Sequence, residues 1–467
     1  MQFDAKVPHN VIFTGNNDVS DSAAVRPPLS DLLLACAHQV QAVSAGRSLS
    51  DSLPETPERL RAATQSITYH VMRHMGLARA LRRELVPRTP PVPLLDALLV
   101  VALCLLNTAE LARLAKEQER PVPADWPVYD VHTLVDQAVT AAASQRRLQG
   151  FKGLVNGVLR RFSRERDRLL QQVLSDPEAR WNHPNWWIRR LRKAYPDHWK
   201  ALLEASQIPA PMLLRVNIRR IQPAEFIALL SQAGIAAQRY AESGVVLDEP
   251  CAVQNIPGFA QGYFSVQDGG AQMAAALLQP ENGQRVLDAC AAPGGKTAHL
   301  LELADLEMWA LDADASRLSR VSENLQRLGL LNDAVHLQCA DAANLDDWWD
   351  GRPFDLVLAD VPCTASGVVR RHPDIRWLRR EADLARTAAL QRRIVDALWS
   401  TVKPGGKLLY VTCSVFPDEG EQQAQQFAQR HPDAQRLTAP GQILPLAEGG
   451  QASLNDGFFY ALFSRKA

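Results

Sequence analysis

Apolar residues recur at helical spacing throughout the first part of the chain. Between residues 28 and 166 they return every three or four positions, for example at Leu60, Ile67 and Val71. This spacing places them on one face of a helix. A further stripe, over residues 148–162, has arginines on its opposite side. We therefore predict an all-helical domain over residues 28–166.

Short apolar runs alternate with helical patterns from residue 272 to the end of the chain. The runs predict strands over residues 285–288, 308–311, 334–338, 354–359, 407–411 and 458–463. The helical patterns between them cover residues 297–303, 315–328, 381–401 and 419–429. This alternation is typical of a doubly wound, mostly parallel sheet with helices on both faces. The predicted fold class is a Rossmann-like α/β domain, preceded by an all-α domain and a small α/β subdomain.

The connecting region, residues 167–271, has a mixed pattern. We predict strands over residues 212–217 and 244–247 and a helix over residues 223–233. Four tryptophans stand among arginines between residues 181 and 199, where aromatic and basic side chains together can bind nucleic acid. Core packing is the preferred interpretation for most of them. With residues 1–27 as a disordered tail, the chain divides into segments 1–27, 28–166, 167–271 and 272–467.

Charge and cysteine content narrow the class of protein. The net charge is zero, but residues 146–220 contain 17 Lys and Arg against 6 Asp and Glu. This stretch is either a surface for a polyanion or a solvated helical face. The seven cysteines show no CxxC pair and no metal-ligand spacing, which indicates free thiols in a reducing compartment. We expect a cytoplasmic monomer that holds no metal and does not enter a membrane.

The sequence from Val286 to Thr297 predicts a buried strand, a tight glycine turn and the start of a helix. Gly294 and Gly295 allow the backbone to approach a ligand closely, because they lack a β-carbon. The turn matches neither GxGxxG nor the Walker loop, so a nicotinamide cofactor and ATP are not the preferred ligands.

Carboxylates close four of the predicted strands, where ligands of such sheets bind. They are Asp288, Asp312, Asp341 and Asp360. Asp312 is placed to accept both hydroxyls of a ribose, and Asp341 to reach an adenine amine. Any one of them is more often a loop or cap residue, but four in register favour a ligand site. The combination favours S-adenosylmethionine.

Two cysteines follow adjacent predicted strands beside this site. Cys363 ends the sequence Asp360-Val-Pro-Cys, and Cys413 lies within Thr412-Cys-Ser414. A thiolate that adds to position 6 of a pyrimidine makes position 5 nucleophilic, so that this carbon can take a methyl group. The residues alone leave open which thiol attacks. They also leave open a redox pair, or buried cysteines that act only as small apolar groups.

Together these segments resemble the RNA (cytosine-5) methyltransferases of the NOL1/NOP2/Sun group. The matching motifs are Asp288-Ala-Cys-Ala-Ala-Pro-Gly-Gly-Lys-Thr297, Leu311-Asp312, Asp360-Val-Pro-Cys-Thr-Ala-Ser-Gly367, Thr412-Cys-Ser414 and Asp456-Gly-Phe-Phe459. The segment Arg370-Arg-His-Pro-Asp-Ile-Arg-Trp-Leu378 is similar to the bacterial members of the group that act on small-subunit ribosomal RNA. Residues 152–161 are similar to the last helix of NusB-like RNA-binding domains. The resemblance implies methylation of carbon 5 of a cytosine in small-subunit (16S) ribosomal RNA. A transfer RNA substrate and a non-catalytic NusB-like RNA-binding factor are the alternatives.

The resemblance also implies a role for each site residue. Cys413 is the implied nucleophile, Cys363 assists release of the covalent adduct, and Asp360 lies near the cytosine. The implied S-adenosylmethionine contacts are Cys290, Ala291, Ala292, Pro293, Gly294, Gly295, Lys296, Asp312, Asp341 and Asp360. One departure is Val361, which replaces the alanine usual before Pro-Cys in this group.

Overall fold

A computed structural model describes residues 27–447 and 453–466. The predicted tail, residues 1–27, therefore lies outside the described residues except for its last position. The first domain is a helical bundle, as the apolar spacing predicts. Its helices are α1 (Leu29–Ser44), α2 (Leu49–Ser52), α3 (Glu58–Leu85), α4 (Pro93–Glu117), α5 (Val131–Ser144) and α6 (Lys152–Val173).

Helix α4 is the centre of this bundle. Apart from the partly exposed Asp96, its side chains from Leu95 to Ala109 are buried among the other helices. By length and composition α4 could also cross a membrane, and it is the only such helix in the described parts of the chain. Because 78% of its apolar window is buried inside the bundle, it has the character of a core helix.

Helix α6 continues past the predicted domain boundary at residue 166. Its backbone leaves helical geometry only at Glu165, with φ −117° and ψ 16°, and the helix then runs on to Val173. Leu169 and Val173 are buried in the bundle core, so the apolar stripe holds this second half in place. A kink, rather than a linker, therefore lies where the sequence predicts the division.

The connecting region begins with three helices and continues as a small sheet with one further helix. Its elements are α7 (Pro177–Trp181), α8 (Asn185–Ala194), α9 (Trp199–Ala205), β1 (Leu213–Val216), α10 (Pro223–Gln232), β2 (Ala237–Tyr240), β3 (Gly244–Leu247) and β4 (Phe264–Val266). The strands form an antiparallel sheet in the order β2-β3-β1-β4. Trp187 is 1% exposed and packs edge-on against Phe416, with the ring centroids 5.0 Å apart. Trp187 is thus a core residue, whereas Trp181, Trp186 and Trp199 are only partly buried and pack against the same cluster.

The last domain is the predicted doubly wound sheet. Its elements are α11 (Gly269–Leu278), β5 (Arg285–Asp288), α12 (Gly295–Leu303), β6 (Glu307–Asp312), α13 (Ala315–Leu328), β7 (Val335–Cys339), β8 (Phe354–Asp360), α14 (Ile375–Leu378), α15 (Glu381–Thr401), β9 (Val402–Thr412), α16 (Glu421–Arg430), β10 (Ala434–Ile443) and β11 (Phe458–Arg465). The strand order is β10-β11-β9-β8-β5-β6-β7. Strands β5 to β9 are mutually parallel, whereas β10 and β11 are antiparallel additions at one edge.

A short segment of the last domain is inserted between the other two parts of the protein. Trp377 and Leu378 pack against the core of the helical bundle, and the Trp377 indole N–H donates to the Met72 carbonyl at 2.8 Å. Arg376 is fully buried and donates to the Ser206 carbonyl at 2.8 Å. The segment around α14 therefore fixes the bundle and the connecting region to the sheet.

Candidate active site

The strand order brings the predicted site residues into one row along the sheet. The carboxyl ends of β9, β8, β5, β6 and β7 are neighbours in that order. Along this edge lie, in turn, Cys413, then Asp360 with Cys363, then Asp288, Asp312 and Asp341. The two thiols therefore occupy one half of the edge, and the carboxylates expected at the cofactor occupy the other half.

The glycine turn is closely packed against its neighbours. Gly294 has φ +95°, and a β-carbon there would lie 3.1 Å from Val321 on α13, so both the conformation and the space favour glycine. The Ala291 N–H donates to the Leu311 carbonyl at 2.8 Å, which ties the turn to β6. The Ala292–Pro293 peptide bond is cis. The turn from Cys290 to Lys296 thus lies directly over the ends of β5 and β6.

A buried arginine of the connecting region is hydrogen-bonded to the backbone of this turn. Arg215, on β1, makes a bidentate ion pair with Glu302 on α12, with both distances 2.8 Å. Its remaining nitrogen donates to the Gly295 carbonyl at 2.7 Å. Both charged side chains are almost fully buried. The small antiparallel sheet therefore fixes the position of the first turn of α12.

Asp312 is buried at the end of β6 and accepts backbone hydrogen bonds. The Ala292 N–H donates to one carboxylate oxygen at 3.2 Å, and the Asp314 N–H donates to the other at 3.0 Å. Asp341, after β7, is more exposed and is bonded to Arg393 of α15 at 2.8 Å. The two carboxylates thus lie on neighbouring strand ends, in the order that the sequence predicts.

Asp288 has one carboxylate oxygen without a partner among the described residues. The Thr297 hydroxyl donates to its other oxygen at 2.6 Å. The side chain is 1% exposed, and burial raises its pKa to about 7. A buried acceptor without a donor is costly, so a ligand that brings a donor or a positive charge would be stabilised here.

Lys296 is the cation at the junction between the carboxylates and the thiols. Its ammonium group lies 2.6 Å from the Asp360 carboxylate and 5.4 Å from the centroid of the Phe458 ring. Burial alone would lower the pKa of Lys296, but the Asp360 charge outweighs this effect, and the pKa is raised. A negative charge at Cys413 would act in the same direction on the pKa of Lys296, but less strongly than Asp360.

The two predicted catalytic cysteines are brought into contact. Their sulfur atoms are 3.4 Å apart, and both side chains are partly buried. The hydrogen bond with Cys413, together with burial, raises the pKa of the Cys363 thiol well above its ordinary value. Cys363 is therefore held protonated beside Cys413. By contrast, Cys290 lies within the glycine turn, where burial raises the pKa of its thiol well above the usual value.

One buried residue of this region has no role in the sequence-based prediction. Glu419 was placed at the start of a helix over residues 419–429, but α16 begins at Glu421. Glu419 instead ends a short 3₁₀ turn, Pro417–Glu419, and its side chain is fully buried. The sequence gives no clear signal for this, because an acidic residue before a helical pattern is usually an exposed helix-terminal residue.

Comparisons with known proteins identify the family. The model described as 16S rRNA methyltransferase RsmB/F matches residues 275–464, and an RsmF/B-like ferredoxin-like domain matches residues 183–254. The ribosomal RNA small subunit methyltransferase B of Vibrio cholerae is 40% identical over 440 residues, which cover 91% of this chain and 95% of the relative. The protein of the same name from Erwinia tasmaniensis is 46% identical over 339 residues, covering 71% of this chain and 77% of the relative.

Solved structures agree with this fold. The crystal structure of PH0851 covers 93% of this chain and 99% of its own, with a TM-score of 0.72 at 24% identity. A methyltransferase homolog protein from Pyrococcus horikoshii covers 62% of this chain and 97% of its own, with a TM-score of 0.53 at 29% identity. Family models, full-length relatives and fold all agree, and the chain therefore belongs to the 16S rRNA methyltransferase RsmB/F family.

Proposed function

We propose that this protein transfers a methyl group from S-adenosylmethionine to carbon 5 of a cytosine in 16S ribosomal RNA. Membership of the family supports the reaction class and the ribosomal substrate. The observation that carries the cytosine-5 chemistry is the contact between the Cys363 and Cys413 sulfur atoms, 3.4 Å apart at adjacent strand ends. Methylation of an exocyclic amine needs no thiol, whereas methylation of a pyrimidine carbon needs a nucleophile to activate the ring.

The charges along the edge fit a cationic cofactor. Asp288, Asp312 and Asp360 line the ends of three neighbouring strands, and Asp288 keeps a carboxylate oxygen without a donor in the described structure. A polyphosphate would be repelled by this set of carboxylates, while the ammonium and sulfonium groups of S-adenosylmethionine would be attracted. When bound, this cofactor supplies an electrophilic methyl group. Residues 290–296 would hold its amino-acid end, Asp312 its ribose and Asp341 its adenine.

Cys413 is the proposed nucleophile, and two observations support this choice over Cys363. Cys363 is held protonated by burial and by its contact with Cys413. Lys296 places a positive charge where a Cys413 thiolate is stabilised electrostatically. A thiolate rather than a thiol is the attacking species, so the cysteine beside the cation is favoured.

The proposed reaction has three steps: addition of a thiolate to the cytosine, methyl transfer and elimination of the thiolate. The Cys413 thiolate would add to carbon 6 as the double bond between carbons 5 and 6 opens, which makes carbon 5 nucleophilic. Carbon 5 would then take the methyl group as the bond between this group and the sulfonium breaks, which leaves S-adenosylhomocysteine. A base then removes the proton from carbon 5, and the bond between sulfur and carbon 6 breaks, so that the thiolate is regenerated. Cys363 assists this last step. Asp360, bonded to Lys296, is placed to contact the polar edge of the base.

The helical bundle provides the proposed contact surface for the surrounding RNA. Several cations of the basic stretch are engaged elsewhere: Arg215 is buried, and Arg189 and Arg190 pair with carboxylates of the catalytic domain. At the start of α6, however, Arg146, Arg147 and Lys152 are exposed, and none has an ion-pair partner among the described residues. Exposed cations of this kind bind phosphates with an affinity that falls steeply as salt rises.

Cysteine variants test the proposed chemistry directly. Cys413→Ala is expected to abolish both methylation and the formation of a covalent complex with 16S rRNA. Cys363→Ala is expected to accumulate that complex, detected as a protein–RNA band that survives denaturing electrophoresis. Cys339→Ala is a matched control, because Cys339 is exposed at the end of β7 and contacts neither thiol. An active Cys413→Ala variant with an inactive, adduct-free Cys363→Ala variant would reverse the assignment.

The substrate is tested separately from the mechanism. Tritium transfer from labelled S-adenosylmethionine to 16S rRNA is compared with transfer to bulk transfer RNA at the same salt concentration. Bisulfite sequencing of the product then reports whether a cytosine has become resistant to deamination, as methylation at carbon 5 predicts. Preferential transfer to transfer RNA, or a label on another base, would contradict the proposal.

A further inference from the structure

The carboxylate of Glu419 lies between the two cysteine segments. It is fully buried in the turn that follows β9. The Thr364 N–H donates to one of its oxygens at 2.8 Å, and the Thr364 hydroxyl donates to the other. The Ser414 hydroxyl also donates to it, at 2.7 Å. Thr364 directly follows Cys363 and Ser414 directly follows Cys413, so one side chain is bonded to the neighbour of each thiol.

We propose that Glu419 is a positioning residue that fixes the two catalytic thiols at their contact distance. It receives hydrogen bonds from the residue after each cysteine and from Thr387 on α15, whose hydroxyl donates at 2.7 Å. These bonds join the loop after β8, the end of β9 and helix α15 to one carboxylate. This inference rests on the proposed roles of Cys363 and Cys413.

A carboxylate is the group that this arrangement requires. An ionised Glu accepts hydrogen bonds at both oxygens, whereas Gln offers one accepting oxygen and a donating amide. The donors from Thr364 reach both oxygens of Glu419, so an amide group would face at least one N–H or O–H with its own hydrogens. Among the described residues Glu419 has no ion-pair partner, so hydrogen bonds alone compensate for its burial. Such charge-assisted bonds are roughly twice as strong as neutral ones.

The charge of Glu419 also acts on Cys363 through space. The hydrogen bond with Cys413 is the main cause of the raised Cys363 pKa, followed by burial and then by the charges of Cys413 and Glu419. Cys363 also interacts electrostatically with Tyr410 on β9, whose pKa is raised mainly by burial and further by the Cys363 and Glu419 charges. The Tyr410 hydroxyl donates to the Glu419 carbonyl at 2.7 Å. The Lys296–Asp360 pair lies on the Cys413 side. Neutralising Glu419 therefore lowers the pKa of Cys363.

The first experiment replaces Glu419 by Gln and uses Glu421→Gln as its control. Glu421 lies two residues away, but its side chain is partly exposed and paired with Arg436, so its replacement leaves the thiols untouched. We expect kcat of Glu419→Gln to fall about tenfold or more, which corresponds to about 1.4 kcal/mol of activation free energy. KM for 16S rRNA and for S-adenosylmethionine should stay within about twofold, because Glu419 contacts neither ligand. The pH–rate profile of the variant should shift to lower pH, because the loss of the Glu419 charge lowers the pKa of Cys363.

A second pair of variants separates positioning from general stability. Thr364→Val and Thr387→Val are the same substitution, and each removes one hydroxyl donor from the same carboxylate. Only Thr364 is adjacent to a catalytic thiol. We expect Thr364→Val to slow single-turnover methylation at least about threefold more than Thr387→Val, measured at a temperature at which both variants are fully folded. Equal effects on turnover would overturn the positioning role, even if Glu419→Gln fails to fold.

The covalent RNA complex expected for Cys363→Ala distinguishes a failure of the proposed cysteine chemistry from a failure of the proposed role of Glu419. If that variant accumulates no covalent RNA complex, the proposed cysteine chemistry is wrong. If it does, while Glu419→Gln turns over within twofold of the wild type with an unshifted pH profile, the chemistry stands and the role of Glu419 is refuted.

Discussion

Asp456 is expected to contribute strongly to stability because it neutralises two arginines inside the protein. Its carboxylate is fully buried and lies 2.6 Å from Arg370 and 2.6 Å from Arg371. Arg370 is itself only 2% exposed. Removal of one partner from a buried ion pair leaves an uncompensated charge and costs about 3–5 kcal/mol. We therefore expect Asp456→Asn to lower the free energy of unfolding by about this amount.

The matched control is the ion pair between Asp305 and Arg219. Its distance is also 2.6 Å, but the Asp305 side chain is 77% exposed. Exposed pairs contribute at most about 1 kcal/mol, because water and salt screen the attraction. For a domain of about 200 residues, 1 kcal/mol corresponds to a shift of about 2–4 °C in the melting temperature. We thus expect a shift of about 6–20 °C for Asp456→Asn and of no more than about 4 °C for Asp305→Asn.

Thermal unfolding followed by circular dichroism measures both shifts, and urea unfolding of the same samples gives the free energies. Each substitution replaces a carboxylate oxygen by an amide of nearly the same size, so the difference between the variants reports burial. Equal shifts, or a larger shift for Asp305→Asn, would refute the argument that burial determines the strength of these pairs.

Two further predictions concern the site and its link to the bundle. Burial raises the pKa of Asp288 to about 7, against about 4 in an unfolded chain, so its contribution to the free energy of unfolding should fall as pH rises from about 4 to 7. Asp288→Asn should remove this contribution, which urea unfolding at several pH values measures. An unchanged dependence of the unfolding free energy on pH would contradict the prediction. Trp377→Ala removes the hydrogen bond to the Met72 carbonyl and a large contact with the bundle. It should raise KM for 16S rRNA and speed proteolysis between the bundle and the sheet, while affinity for S-adenosylmethionine, the internal control, stays unchanged.

The parallel strands could be predicted from the sequence because their burial makes them continuous apolar runs. Strand β5, for example, is buried at every position. Strand β2, Ala237–Tyr240, and strand β10, Ala434–Ile443, were not predicted. Each lies at the edge of its sheet, and their side chains are exposed or only partly buried, so they lack the apolar signal. Pro440 and Gly441 further weaken the strand signal of β10, since both residues are typical of turns.

The row of site residues could be predicted for a related reason. Asp288, Asp312 and Cys413 stand directly at or after strand ends, and parallel strands place their carboxyl ends at the same edge. Glu419 could not be found in this way, because its function depends on partners 55 and 32 residues earlier in the chain. Sequence spacing indicates at which edge of the sheet a residue lies. The hydrogen bonds that a buried side chain in a turn makes to distant segments can be identified only from the folded structure.

The segment from Cys363 to Trp377 connects the proposed catalytic site to the helical bundle by a short stretch of chain. Close to the thiol, Gly367 packs so tightly against the Gly457 backbone that a β-carbon would lie 1.9 Å from its carbonyl oxygen. At the other end, the Arg73 guanidinium of the bundle donates to the Arg370 carbonyl at 2.8 Å, and Trp377 enters the bundle core. Contacts at both ends leave this segment little freedom to move. If RNA binds the bundle as proposed, it would be held at a fixed distance from Cys363, so changes in this segment should alter which cytosine is methylated before they alter the rate of the chemical step.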